Sequence, residues 1–300
     1  MNKLITIALA LFVDSILPVY PLFADNPAYS ICVNELDGTP FEVIKGLLIV
    51  KAEINGEEGN FILDTGSPMM ILNSRPGESQ KSSHAKSLSG EISGQWEKID
   101  EFSWAGIQKF GMEALCTDIC HLETIAGKPL RGLIGYEFFG NLDLLLDFER
   151  QVLRLMPPGF SDNMEGGGPA LQIPFTIVGH LAVIEAKIGE ASFRLGLDTG
   201  AGINLLDSSR KKDIDKNLYI PAKDAKIVGL DQARSSYSVV EVLATSVAGK
   251  SYPNMQYLLT DISNLHNLSD NHVDGLLGYP FFQSGRFTIN YTKKIISIWQ

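Results

Sequence analysis

The chain is written twice. The segment VKAEINGEEGNFILDTGSPMMILNS at 50–74 lies over IEAKIGEASFRLGLDTGAGINLLDS at 184–208 at a constant offset of 134 residues. Ala52 meets Ala186, Ile54 meets Ile188, and Asp64, Thr65 and Gly66 meet Asp198, Thr199 and Gly200. Further on the offset becomes 143: Thr117, Asp118 and Ile119 meet Thr260, Asp261 and Ile262, and GLIGYEFF (132–139) meets GLLGYPFF (275–282). The closing segments also match, LLLDFERQVLRLM (144–156) over FTINYTKKIISIW (287–299). A repeat of this length makes each copy a folding unit and leaves the pair to be arranged about an axis. The change of offset falls partly in KKDIDKN (211–217), which has a loop's composition.

PPGFSDNMEGGGPA (157–170) separates the copies and is rich in Pro and Gly. It predicts an N-terminal lobe over 30–157, a linker over 158–170 and a C-terminal lobe over 171–300. Apolar residues come in short runs rich in Val, Ile, Leu and Phe, bounded by Gly, Asn and Asp, without long helical periodicity. The expected fold is all-β, each lobe a small barrel or folded sheet. Short helices are expected only after each glycine pair, near 136–140 and 279–283.

Residues 1–24 stand apart. Lys3 precedes the apolar run Leu4 to Val13, and the segment continues to Ala24 before Asp25 and Asn26. That pattern predicts a signal peptide cut near Ala24 and a protein exported to the periplasm or beyond. The run is too short for a membrane anchor, which needs about 20 apolar residues. A net charge of −10 argues against nucleic acid or an anionic membrane as partner.

Asp64 follows Phe61, Ile62 and Leu63; Asp198 follows Leu195, Gly196 and Leu197. A carboxylate at the end of an apolar strand costs several kcal/mol unless it is paired or hydrogen-bonded. One Asp-Thr-Gly is ordinary turn chemistry and arises by chance in roughly one chain in twenty of this length. Two at matched positions of a repeat need another explanation.

Apolar residues, then Asp-Thr-Gly, then Ser or Ala, with a later Leu133-Ile134-Gly135 or Leu276-Leu277-Gly278, resemble the two elements of each aspartic protease lobe. From about residue 40 onward the chain resembles two retropepsin subunits joined in tandem. The resemblance implies pepsin-like lobes about a pseudo-twofold axis, with the active site in the cleft between them. It implies catalysis by Asp64 and Asp198 sharing one proton, without metal or cofactor; this class is itself the standard instance of such a dyad. Thr65 and Thr199 would each cross to the opposite loop, and Gly66 and Gly200 would leave room beside the carboxylates. Ser67 can offer Asp64 a hydroxyl that Ala201 cannot offer Asp198, which would make Asp64 the more readily ionised member.

Flap hairpins are expected at LSGEISGQW (88–96), with Gly90, Gly94 and Trp96, and at GLDQARSSY (229–237), with Gly229 and Tyr237. The implied partner is a peptide or protein substrate, cut by a monomer; the rival is a silent peptide-binding protein of the same fold. Another carboxylate-pair hydrolase, such as a glycosidase, would not need its acids at matched repeat positions.

CTDICH (116–121) invites a metal or thiol reading, but the repeat sets Cys116 opposite Leu259 as a core strand residue and His121 opposite Asn264 as a loop residue. Export would allow one disulfide, between Cys120 and either Cys32 or Cys116. The other histidines, His84, His180, His266 and His272, fall in polar or turn-like contexts without a nucleophile motif. Asn267 and Asn290 match glycosylation acceptors, and Asn290 is discounted because it falls in an expected strand.

Overall fold

The computed structural model describes residues 38–74, 83–87, 91–160, 168–228, 234–263, 272–283 and 285–299, together with short strands at Leu11–Phe12 and Tyr29–Ile31. The rest of the expected signal segment, Cys32, most of the linker, the flap residues Gly90 and Gly229, His266 and Asn267 lie outside the described residues.

The fold is all-β with two barrel-like lobes. In lobe one the hydrogen-bonded order runs Leu47–Ile54, Glu57–Leu63, Gly132–Ile134, Ile71–Asn73, Ile107–Thr117 and Glu91–Trp104, and the last strand pairs back onto the first. In lobe two the order is Leu181–Ile188, Ala191–Leu197, Gly275–Leu277, Asn204–Asp207, Lys250–Thr260 and Val239–Val247, closing in the same way. Closure leaves these strands no free edges, and their alternating residues fill the interiors. Leu47–Ile54 and Leu181–Ile188 share one pattern, four buried residues followed by alternation.

In both barrels the strand carrying the aspartate runs parallel to the short Gly-Leu-Ile or Gly-Leu-Leu strand. Parallel neighbours cannot be joined by a tight turn, so a long connection must separate them in sequence. That is why two motifs some 70 residues apart meet.

The lobes are joined by a shared sheet. Asp143–Asp147 pairs antiparallel with Arg286–Asn290, and Leu145 faces Thr288, its own counterpart at the offset of 143. Aromatic rings cross reciprocally beneath this sheet. Phe148 of lobe one meets Phe282 at 6.2 Å between centroids, and their counterparts Tyr291 and Phe139 meet at 5.9 Å. One hydrophobic cluster therefore spans both lobes.

Helices occur at Tyr136–Phe139 and Tyr279–Phe282, as expected, each turning Phe side chains into the core. The expectation of a loop at His121 is corrected by a helix at Cys120–Ala126, which buries Leu122, Ile125 and Ala126 and ends at Gly127 with φ 67°. KKDIDKN contributes to two short 3₁₀ turns, Ser208–Asp213 and Lys216–Leu218, started by Asp207 and Asp215 side chains that accept from backbone amides. No helix among the described residues is long and apolar enough to cross a membrane.

Candidate active site

Asp64 and Asp198 end their strands at the axis and have no exposed surface. The Asp64 amide donates to the Ile134 carbonyl at 3.0 Å, and the Asp198 amide to the Leu277 carbonyl at 3.0 Å. Each loop then turns on itself: Ser67 N–H donates to Asp64 O, and Ala201 N–H to Asp198 O. The first helix residue docks on that turn, Tyr136 N–H on Ser67 O and Tyr279 N–H on Ala201 O, both at 2.8 Å. The second motif of each lobe thus buttresses the loop that carries the first.

The two loops are bound to each other by their threonines. Thr65 Oγ1 donates to Leu197 O at 3.1 Å and accepts from Thr199 N–H at 3.0 Å. Thr199 Oγ1 donates to Leu63 O at 2.8 Å and accepts from Thr65 N–H at 3.1 Å. All four groups are buried, so losing one would strand another without a partner at about 1–3 kcal/mol.

Glycine is required after each threonine. Its amide reaches back to Oδ1 of its own aspartate, 2.9 Å for Gly66 and 2.8 Å for Gly200. A Cβ on Gly66 would collide with the Asp198 carboxyl, and one on Gly200 with the Asp64 carboxyl. Each carboxyl therefore lies against the opposite loop. Oδ2 of Asp64 and Oδ2 of Asp198 are buried and have no hydrogen-bond partner among the described residues.

Burial raises the affinity of both carboxyls for protons. It pushes Asp64 up to about 7, against the opposing effects of Asp198 and the amides of Gly66 and Ser67. Asp198 is raised well above the ordinary carboxylate range by burial and then by the Asp64 charge. The two titrate as a pair, which holds a proton far above the pH at which isolated carboxyls lose theirs.

Ser67 departs from its expected role. Its hydroxyl donates to Met69 O at 2.9 Å, so the donor meant for Asp64 is committed within its own loop. What reaches this loop from outside is His180, a residue that sequence reasoning left among scattered histidines. Its Nε2–H donates to the Gly66 carbonyl at 2.6 Å. The signal was present in the repeat: at the offset of 134 His180 lies opposite Gly46, an unlike pair within otherwise similar segments.

Of the expected flap residues, Gly94, Trp96 and Tyr237 are among the described residues. A hairpin of Ser83–Ser87 against the start of Glu91–Trp104 stands where the first flap was expected. Gly94 lies within that second strand, where a Cβ would press on the Cys116 carbonyl, and half-buried Trp96 packs on the lobe-one core. In lobe two Ala225–Val228 pairs with Arg234–Tyr237, and Tyr237 sits at the base of that hairpin against the core. Cys116 and Cys120 do not bridge each other, which rules out one of the two pairings open to Cys120, and Cys32 lies outside the described residues. Cys116 is buried at the end of its strand, while Cys120 opens the helix with its thiol toward Asn73 Oδ1. Among the described residues no three His, Cys, Asp or Glu side chains gather as a metal site. Asn290 is buried in its strand.

Two strand-end carboxyls meeting across an axis, each held by a glycine amide, define a carboxyl-dyad site. Residues 184–281, which span the second loop and the Gly275–Leu277 element, match the aspartyl protease family model. The match supports the aspartic protease family for this chain. No curated protein matches the chain.

Proposed function

We propose that the protein is an aspartic endopeptidase in which Asp64 and Asp198 act as one dyad. The observation that carries this reading is the reciprocal packing of the two carboxyls, each with Oδ1 held by a glycine amide and Oδ2 left for chemistry. Two carboxyls at such range hold one proton between them. The ionised member, assigned to Asp64, takes a proton from a water molecule whose oxygen attacks the peptide carbonyl carbon. Asp198 gives its proton to the carbonyl oxygen, forming a neutral gem-diol. Collapse of the gem-diol returns a proton to Asp198, while the amine leaves with the proton held on Asp64. The acid and the base are regenerated together, with no covalent enzyme intermediate.

The substrate class is a peptide or protein. A single chain supplies both aspartates, so the working unit in this reading is a monomer. Residues 1–24 carry the expectation of export, which amino-terminal sequencing of protein recovered outside the cytoplasm would test.

The deciding experiment is cleavage of a mixed peptide library from pH 3 to 8, with Asp64→Asn and Asp198→Asn alongside. Cleavage that either substitution abolishes is expected. Folded protein that cuts nothing at any pH would overturn the reading in favour of a silent peptide-binding protein.

A further inference from the structure

Each lobe leans a hairpin turn on the aspartate loop of the other. In lobe one the turn at Lys45 and Gly46 joins Thr39–Ile44 to Leu47–Ile54, with φ 52° and 86°. Gly46 meets lobe two so closely that a Cβ there would stand 2.8 Å from Gly202 Cα. In lobe two the equivalent turn, between Thr176–Val178 and Leu181–Ile188, carries His180 at the position of Gly46. The two turns are equivalent by symmetry, but they touch different points of the opposite loop: Gly46 lies against Gly202, and His180 reaches Gly66, the counterpart of Gly200. Lobe one offers backbone only, and lobe two offers a hydrogen-bond donor.

From this asymmetry we infer that His180 is a positioning residue for the dyad: by donating to the Gly66 carbonyl it fixes and polarises the Gly66–Ser67 peptide and makes Asp64 the ionised member. The inference rests on the protease reading of the site. The carbonyl that accepts from His180 belongs to the same peptide group as the Ser67 amide, which closes the Asp64 loop and favours the Asp64 carboxylate. A donor on the oxygen of a peptide strengthens the N–H at its other end, most of all in a buried site. Among the described residues no side chain is seen to donate to the Gly200 carbonyl, and Gly46, at the position of His180, has none to offer.

The imidazole is well placed to stay neutral while it does this. It is 7% exposed, its ring centroid lies 6.4 Å from that of Tyr136, and Tyr136 itself docks on Ser67 O. Among the described residues, the titratable groups near this corner include Asp64 and Asp198, whose carboxyls lie at the Gly66 loop, and Tyr136 from its helix, with Tyr291 behind Tyr136 at 5.1 Å between ring centroids. Burial lowers His180 to about 4, so from pH 5 upward Nε2 carries its proton without a charge on the ring. The hydroxyl of Ser67, turned to Met69, does not compete for this role.

The test is direct titration of the aspartate carboxyls by carbon-13 NMR in the full-length protein, compared among wild type, His180→Leu and His180→Gln. Leucine removes the donor, whereas glutamine keeps an N–H within reach of Gly66. The Leu variant is expected to move the first ionisation of the dyad upward by about half a pH unit or more, and Gln to restore part of the shift. Where peptide cleavage is measurable, the acid limb of kcat should move with it and KM should stay put. An unmoved titration in a folded Leu variant would overturn the inference, and so would equal shifts in Leu and Gln. Wild type supplies a second check that survives a misfolded variant: nitrogen-15 NMR should find His180 neutral and protonated at Nε2 between pH 5 and 8. Protonation at Nδ1 alone would also overturn it. Both readouts are independent of cleavage, so wild-type protein that titrates as expected yet cuts nothing would count against the protease reading and not against His180.

Discussion

Lobe one brings Asp64, Thr65, Gly66 and Ser67 to the axis, lobe two Asp198, Thr199, Gly200 and Ala201, and their hydrogen bonds correspond one for one up to the glycines. Beyond the glycines the lobes part. Ser67 spends its hydroxyl on its own loop where Ala201 has none, and the turn of lobe two brings His180 to Gly66 where the equivalent turn of lobe one brings the backbone of Gly46 to Gly202. The same divergence occurs under the short helices. Lys109 places its ammonium 5.0 Å from the Phe138 ring and donates to Glu137 O, whereas its counterpart Tyr252 sets its ring 5.1 Å from Phe281. Symmetry is kept where two groups must meet their own counterparts across the axis. It is relaxed where a residue faces something that has no twin.

The sharpest way to break that comparison is to remove one carboxylate at a time. Asp64→Asn and Asp198→Asn should each lower kcat/KM by about 10³-fold or more, and the double variant should fall little further, because the two act as a unit. Additive losses in library cleavage would mean that the carboxyls work separately. Next come Gly66→Ala and Gly200→Ala, each of which drives a methyl into the opposite carboxyl. Each should cost about 1–3 kcal/mol in urea denaturation and abolish most activity. Thr65→Val and Thr199→Val should cost about 1–3 kcal/mol apiece, and equally, since each loses one donor and one acceptor of the same network.

A pH titration of stability reads the dyad without substrate. The folded carboxyls bind protons more tightly than in the unfolded chain, where Asp titrates near 3.8. Stability from this source is full below pH 4 and is lost as pH rises toward and through about 7. Thermal melts should therefore show Asp198→Asn losing less stability than wild type between pH 4 and 7. The smallest effect belongs to Ser67→Ala, which should cost about 1 kcal/mol and leave the pH–rate profile in place, because that hydroxyl does not reach Asp64.

Much of this was legible in the repeat, for a physical reason. A twofold arrangement demands the same residues at both loops, so Asp64, Thr65 and Gly66 with their counterparts announce themselves twice. The short helices could be anticipated because Gly135 and Gly278 precede paired Phe residues in both copies. His180 could not be weighted that way: its partner Gly66 is 114 residues distant, and its meaning lies in having no twin. The Cys120–Ala126 helix was missed although Leu122, Ile125 and Ala126 follow helical spacing, since about two turns are too short for periodicity to register. Ser67 was misassigned because sequence shows which hydroxyl is near a carboxylate but not which way it turns.

The register in which Leu145 faces Thr288 bears on how such a chain could arise. Residues that pair with their own equivalents form an isologous contact, which two separate copies of one half could make as readily as two halves in tandem. Joining the copies end to end would have required no new interface, only a tether. In a joined chain the two halves can differ at single positions, as His180 and Gly46 do.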